Sequence, residues 1–383
     1  MEEAKSVEFL KKIAGNLLLQ IYSWVKTVAK LYIIFFGRLI KGRYAKHNDN
    51  TYPTIIQLPI TYKCNFDCVM CGMQKLVHKP GFTPEELRTI LKDSLYKNIN
   101  SVGVSGGEPF LLKNIDEYIQ VLFDSLPKLK NVYIISNGYF TNTILDKSEK
   151  ILEICHKHSA KFGLSISLDG YGQLQDIMRG RKGAFEHVLS TCREILKKRN
   201  QYCDSFGTIC TITKINVYNL VELDVFATQQ GIPINYNVAT IHKRLCNEER
   251  YEDFSVFTDE HARMMAAEFF YGKFLQTKKE HYYGLYYIVN TGERIYSCTS
   301  KTDVVTITPD GGLSYCATHS DIIGSAYSDS SEKLFFNKKN LAYRKQMQSE
   351  YCKGCSHYSD RIEIQHYFSK YVKERMREVE IFR

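Results

Sequence analysis

Residues 54–71 read TIIQLPITYKCNFDCVMC, an apolar β-branched run over 54–62 followed by three cysteines within eight residues, Cys64, Cys68 and Cys71. The first half has the composition of a buried strand and the second that of a loop, so the cysteines stand at the strand's C-terminal end. The same order repeats downstream. Residues 83–97 predict a helix opened by a Thr83–Glu86 capping pattern. Strands are predicted over 100–107, 132–138, 162–170, 205–213 and 232–240, with helices near 115–126, 145–158, 184–199 and 218–229. Strands alternating with helices make a parallel sheet. Six units between 54 and 240 predict an α/β fold, an open, partial (β/α)6 TIM-like barrel.

The flanks read differently. The chain has 383 residues, 44% apolar and 24% charged, which is ordinary globular composition and excludes a disordered or collagen-like chain. No internal repeat of solenoid length is present. No charged-then-apolar segment ends in a small-residue cleavage site, so a cytoplasmic, reducing location is expected and the 12 cysteines read as ligands more than as disulfides. Residues 1–50 hold nine Lys/Arg and four Asp/Glu, which is +5 of the net +9. Residues 8–42 predict a helix with apolar side chains at Leu10, Ile13, Leu17, Ile21, Trp24, Val28, Tyr32 and Phe35. Lys11, Lys12, Lys26, Lys30, Arg38 and Lys41 interrupt it too often for a transmembrane span of about 20 residues. A basic amphipathic helix with the only Trp fits contact with the inner membrane face. The alternative is a helix that lays its stripe on the protein's own barrel or on a partner. Basic residues alternating with large aliphatics argue against nucleic acid.

The remaining organisation follows from composition. Residues 1–50 are the helical segment, and polar residues 44–53 form a linker ending at Pro53. The barrel takes 54–240, and a connecting segment with a helix at 259–276 takes 241–297. A small α+β unit takes 298–360, with a hairpin over 303–316 around Pro309-Asp310-Gly311-Gly312. A charged helical tail takes 361–383.

Cys64, Cys68 and Cys71 are spaced C-x3-C-x2-C, with no fourth cysteine nearby. Three thiolates on one loop can hold three irons of a [4Fe–4S] cluster and leave the fourth open to a ligand, which suits catalysis. Zinc, which prefers four ligands in paired spacings, and plain buried thiols are the other readings. The loop and its place after a first strand resemble the radical S-adenosylmethionine (SAM) superfamily. That resemblance implies that the open iron chelates the amino and carboxylate groups of SAM, and that one electron releases a 5′-deoxyadenosyl radical which takes a substrate hydrogen. Gly106-Gly107-Glu108-Pro109, after the second strand, resembles the motif that contacts the SAM amino group. Ser136-Asn137-Gly138 closes the third strand and is similar to the polar tip near SAM's ribose or methionine part. Ser167-Leu168-Asp169-Gly170 with Arg179-Gly180 resembles the SPASM/twitch branch, where the Ser and Arg positions contact the SAM ribose and carboxylate. The family usually has an aromatic residue before its third cysteine. Here Met70 stands there and would meet the adenine through its thioether.

Cys298, Cys316, Cys352 and Cys355 follow as C-x17-C-x35-C-x2-C. Their opening, C-x12-G-x4-C through Gly311, resembles a SPASM extension, and Arg361 replaces the cysteine that a longer version would need. The shortened twitch form implies one auxiliary, fully ligated [4Fe–4S] cluster suited to electron transfer. A structural zinc site is the alternative. Cys246, just past the sixth strand, is the candidate hydrogen-atom donor for an epimerisation. The leading expectation is oxidation or epimerisation of a carbohydrate-type or lipid-linked small molecule, with a flavodoxin- or ferredoxin-type reductant. The second is maturation of a ribosomally made peptide, and the third a non-catalytic Fe–S or zinc scaffold.

Overall fold

The computed structural model describes residues 2–44, 51–357 and 361–377. Part of the expected linker and the last six residues of the expected tail lie outside the described residues. Six strands run in sequence order: β1 (Ile55–Pro59), β2 (Ser101–Ser105), β3 (Asn131–Ser136), β4 (Lys161–Ser167), β5 (Ser205–Ile212) and β6 (Ile234–Val238). Each pairs in parallel with its predecessor, and helices over 84–91, 115–125, 141–157, 184–197 and 220–229 make the crossovers. The sheet is open, with β1 to β6 side by side in sequence order, as a partial TIM-like barrel requires. Ile56, Leu58, Val102, Val104, Ile134, Phe162, Leu164 and Ile166 are fully buried, because the crossover helices cover the face they occupy, whereas alternate positions such as Tyr133 are partly exposed. The capping box opens the first crossover helix as the sequence predicts: the Thr83 hydroxyl accepts from the Glu86 N–H, and the Glu86 carboxylate accepts from the Thr83 N–H at 2.7 Å.

Past β6 the aromatic segment folds into two helices where the sequence predicts one, Glu260–Thr277 and Glu280–Thr291. Lys278 separates them in the left-handed conformation (φ +58°) and donates its N–H to the Phe274 carbonyl at 2.7 Å, closing the first helix. The second helix lacks a clean apolar stripe, because Tyr282, Tyr283, Tyr286 and Tyr287 fill one side while Leu285, Ile288 and Val289 occupy much of the rest. It is held by ring contacts such as Phe274–Tyr283, with centroids 5.1 Å apart.

The hairpin predicted over 303–316 is present as β7 (Val304–Ile307) and β8 (Gly312–Ser314), with β9 (Gly324–Ser325) beside β8. β7 pairs in parallel with β1, Ile55 opposite Val304, so residues 304–325 extend the barrel's own sheet.

The N-terminal helix spans Glu2–Tyr44. One face of its C-terminal half docks on the chain itself. Leu31 is 6% exposed, and the Phe35 ring lies 4.4 Å from Phe368. Arg38 forms a two-point ion pair with Glu280 (2.6 and 3.1 Å) and covers the Tyr367 ring. No helix among the described residues is long and apolar enough to cross a membrane.

Ile134→Ala, in the middle of β3, should lower stability by about 2–5 kcal/mol in denaturant unfolding. Val225→Ala, on the exposed face of the 220–229 helix, should change it by less than about 0.5 kcal/mol.

Candidate active site

The loop from Ile60 to Leu76 crosses the C-terminal ends of the strands, and its backbone groups are claimed from three directions. From the β2 side, the Gly107 N–H donates to the Thr61 carbonyl (2.7 Å) and the Glu108 N–H to the Lys63 carbonyl (2.8 Å). A β-carbon on Gly107 would sit 2.0 Å from the Lys63 oxygen, so only glycine fits. From the β4 side, the Val69 N–H donates to the Met178 carbonyl at 3.0 Å, and Gly180 (φ +59°) would meet the Asp67 oxygen at 2.1 Å if it bore a β-carbon. From beyond β6, Arg250 Nη1 donates to the Cys71 carbonyl (2.6 Å), and Asn247 Nδ2 donates to the Met70 carbonyl (2.9 Å). A fourth tie reaches the hairpin, where the Tyr62 hydroxyl donates to Asp310 at 2.7 Å.

These ties bring Cys64, Cys68 and Cys71 to one wall of a cavity of about 330 Å³. Met70, Gly106, Gly107, Ser136, Asn137, Ser167 and Arg179, all anticipated from sequence, line it as well. Burial pushes the Cys64 thiol up to about 12 and Cys71 up to about 11, and it raises Cys68 despite the Arg179 charge. Three buried thiols on one wall are poor anions by themselves, so as a donor set they fit a positively charged iron centre that makes thiolates worth holding there. Arg179 supplies the local cation. Its Nη1 lies 3.6 Å from Cys68 Sγ and its Nη2 2.6 Å from Asp169, while its buried Nε has no hydrogen-bond partner. Burial alone would lower the guanidinium's pKa, but the Asp169 carboxylate and Cys68 sulfur hold it above its usual range.

Three predicted residues are placed elsewhere. Glu108 does not line the cavity. It is 1% exposed and accepts from the Asn137 N–H (2.6 Å), the Ser136 hydroxyl (2.9 Å) and the Phe110 N–H (3.1 Å), so it locks the end of β2 to the end of β3. Burial pushes its carboxyl up to about 7 against those donors. Asp169 is buried behind Arg179 as its counter-ion and accepts from the Thr211 N–H at 2.8 Å. Cys246 also lies outside the cavity lining. It has a left-handed backbone (φ +49°), and its thiol donates to the Lys243 carbonyl at 3.6 Å, so it is not placed as a hydrogen donor.

Sequence reading missed the part of the lining made by His242, Arg244, Asn247 and His357. Arg244 Nη1 is buried there with no hydrogen-bond partner. His242 Nδ1 pairs with the Ala317 carbonyl at 2.9 Å, next to Cys316, and His357 follows Cys355 by two residues. The cavity therefore runs from the first cysteine loop to the edge of the second set. Cys298, Cys316, Cys352 and Cys355 are all free thiols, and three of them face Arg294 closely enough for its pKa to rise in their field. Burial dominates Cys355, at about 12, with Arg294 pulling it down and Cys298 and Cys316 pushing it up. Arg294 pins the segment through the carbonyls of Tyr296 (2.8 Å), Cys355 (3.0 Å) and Ser297 (2.9 Å). Among the described residues, no three His, Cys, Asp or Glu side chains close tightly enough to grip one ion.

Residues 58–223 match the Radical SAM superfamily. The chain is 24% identical over 185 residues to GTP 3′,8-cyclase of Nautilia profundicola, covering 47% of this chain and 54% of the relative. It is 28% identical over 152 residues to the sporulation killing factor maturation protein SkfB of Bacillus subtilis, covering 38% and 34%. The chain thus spans about half or less of the length of these curated relatives. Its fold superposes on native anSMEcpe with bound AdoMet and Kp18Cys peptide at a TM-score of 0.58 and 15% identity, over 85% of this chain and 98% of that one.

Gly107→Ala should displace the cysteine loop and lower the iron retained after reconstitution. Glu108 has a folded-state pKa near 7, above its usual 4.5. The native state therefore binds the proton more tightly. Its contribution is fully present below 4.5, is lost as pH rises to about 7 and is flat above. Glu108→Gln should remove that slope, up to about 3 kcal/mol, in the difference between variant and parent unfolding curves.

Proposed function

We propose, from the match of residues 58–223 to the Radical SAM superfamily, that the protein is an enzyme that removes a hydrogen atom from a peptide substrate in the cavity beneath Cys64, Cys68 and Cys71. A [4Fe–4S] cluster and SAM, when bound there, would supply the 5′-deoxyadenosyl radical. The three cysteines would hold the cluster. Arg179 offsets thiolate charge beside Cys68, and its guanidinium, part of the cavity lining, is the group suited to a carboxylate. Ser136, Asn137 and Ser167 offer hydroxyl and amide groups to sugar and amino-acid parts of a ligand, and Met70 offers an apolar, polarisable face to a ring. Glu108 acts from behind, fixing where Ser136 and Asn137 point.

Cys298, Cys316, Cys352 and Cys355 would hold an auxiliary [4Fe–4S] cluster beside the His242 and His357 part of the lining, and a flavodoxin- or ferredoxin-type protein would supply electrons. The observation that carries the reading is the convergence of all three C-x3-C-x2-C thiols with Arg179 on one cavity.

The peptide substrate moves ahead of the carbohydrate-type or lipid-linked one because the relatives supporting a substrate class include a peptide maturation protein and a peptide-bound enzyme of the same fold over 85% of this chain. A small anionic molecule is the second reading, favoured by the unpartnered Arg244 Nη1 in the same lining.

Anaerobically reconstituted protein should carry about eight irons, and Cys352→Ala/Cys355→Ala about four. Zinc in the parent protein would remove the auxiliary cluster. Cys64→Ala/Cys68→Ala/Cys71→Ala should abolish 5′-deoxyadenosine formation with dithionite. With peptides encoded beside its gene, deuterium on the peptide should appear in 5′-deoxyadenosine. Transfer only from a deuterated sugar or nucleotide would overturn the peptide assignment.

A further inference from the structure

The N-terminal helix has two apolar faces, and the fold uses one. The docked face carries Leu31, Ile34, Phe35 and Arg38 against the 280–291 helix and the Tyr367–Phe368 pair. On the opposite side, Leu18, Tyr22, Val25, Ile33, Phe36 and Ile40 recur at helical spacing and are 50–73% exposed. They make a straight apolar stripe about 33 Å long, parallel to the docked one. Scattered exposed aliphatics are normal, but a continuous line of six on one helix is a contact surface.

Charge selects what the surface meets. From residue 9 to residue 48 the sequence holds eight Lys/Arg and no Asp or Glu. Lys26 and Lys30 are exposed and flank the stripe on one side. A second copy of the helix would bring like charges together, whereas an anionic lipid surface offers phosphates to the lysines and acyl chains to the stripe.

We propose that Leu18, Tyr22, Val25, Ile33, Phe36 and Ile40 insert into an anionic phospholipid surface while Leu31, Phe35 and Arg38 keep the helix fixed to the 280–291 helix and the Tyr367–Phe368 pair, so that the catalytic domain is held against the membrane by a rigid strut. The proposal is independent of which substrate the cavity takes.

The test is co-sedimentation of the reconstituted 383-residue chain with phosphatidylcholine vesicles, with and without about one-third phosphatidylglycerol. The parent protein should bind the anionic vesicles, and high salt should weaken that binding. Ile33→Ser/Phe36→Ser, on the exposed face, should lose at least about tenfold in affinity with unchanged circular dichroism and iron content. Lys26→Gln/Lys30→Gln should flatten the salt dependence. Failure of the parent to bind, or equal binding by Ile33→Ser/Phe36→Ser, would overturn the proposal. So would a parent dimer in light scattering that the serine variant abolishes, since a second copy would then cover the face.

Discussion

Gly107 and Gly180 come so close to the carbonyl oxygens of Lys63 and Asp67 that neither position has room for a β-carbon. This close approach lets the ends of β2 and β4 grip the cysteine loop by backbone, with Arg250 and Asn247 holding its remaining carbonyls from the other side. The loop buries Phe66, Met70 and Met73, but apolar packing is non-directional and does not by itself fix where its backbone and thiols point. Its geometry has to come from hydrogen bonds to neighbours that are themselves rigid. The strands supply that rigidity, and Glu108 carries it sideways from β2 to β3. The cavity's shape therefore follows from the sheet more than from the loop.

The barrel was legible because β-branched runs and amphipathic helices have distinct periods, and each of the six strands overlaps the range read from sequence, β3 and β4 beginning one residue earlier. The Glu280–Thr291 helix was not, because its tyrosines on one side and its aliphatics on the other leave no clear polar face to give a periodic signal. The spacing of Cys64, Cys68 and Cys71 and the placement of Arg179 were also legible, since motif residues sit at strand ends whose position the alternation fixes. Glu108, read from its motif as a SAM contact, lies outside the cavity lining: a motif gives identity and location, but a one-residue step at a strand end decides which way a side chain faces. Arg244, Asn247 and Arg250 were invisible for a different reason. They lie in a run of short 3-10 turns with no periodicity, and only tertiary packing brings them to the loop.

The two cysteine sets are more closely joined than their separation in sequence implies. Tyr62, two residues before Cys64, bonds to Asp310 in the turn between β7 and β8, and that hairpin leads directly to Cys316. His242 reaches the Ala317 carbonyl from the cavity wall, and Arg294 ties the segment of Tyr296 to the carbonyl of Cys355. The two sets are thus joined by direct hydrogen bonds between the elements that carry them.

The pairing of β1 with β7 also constrains how the chain comes off the ribosome. β1 is made early, but the strand that covers its outer edge begins at Val304. At about 5–20 residues per second, roughly 250 intervening residues leave that edge open for on the order of 10–50 s. During that interval a sheet of up to six parallel strands presents unpaired backbone groups at Ile55–Pro59, the sort of template on which nascent chains stick to one another. Yield in a heterologous host should therefore depend on chaperone capacity and synthesis rate as well as on iron supply.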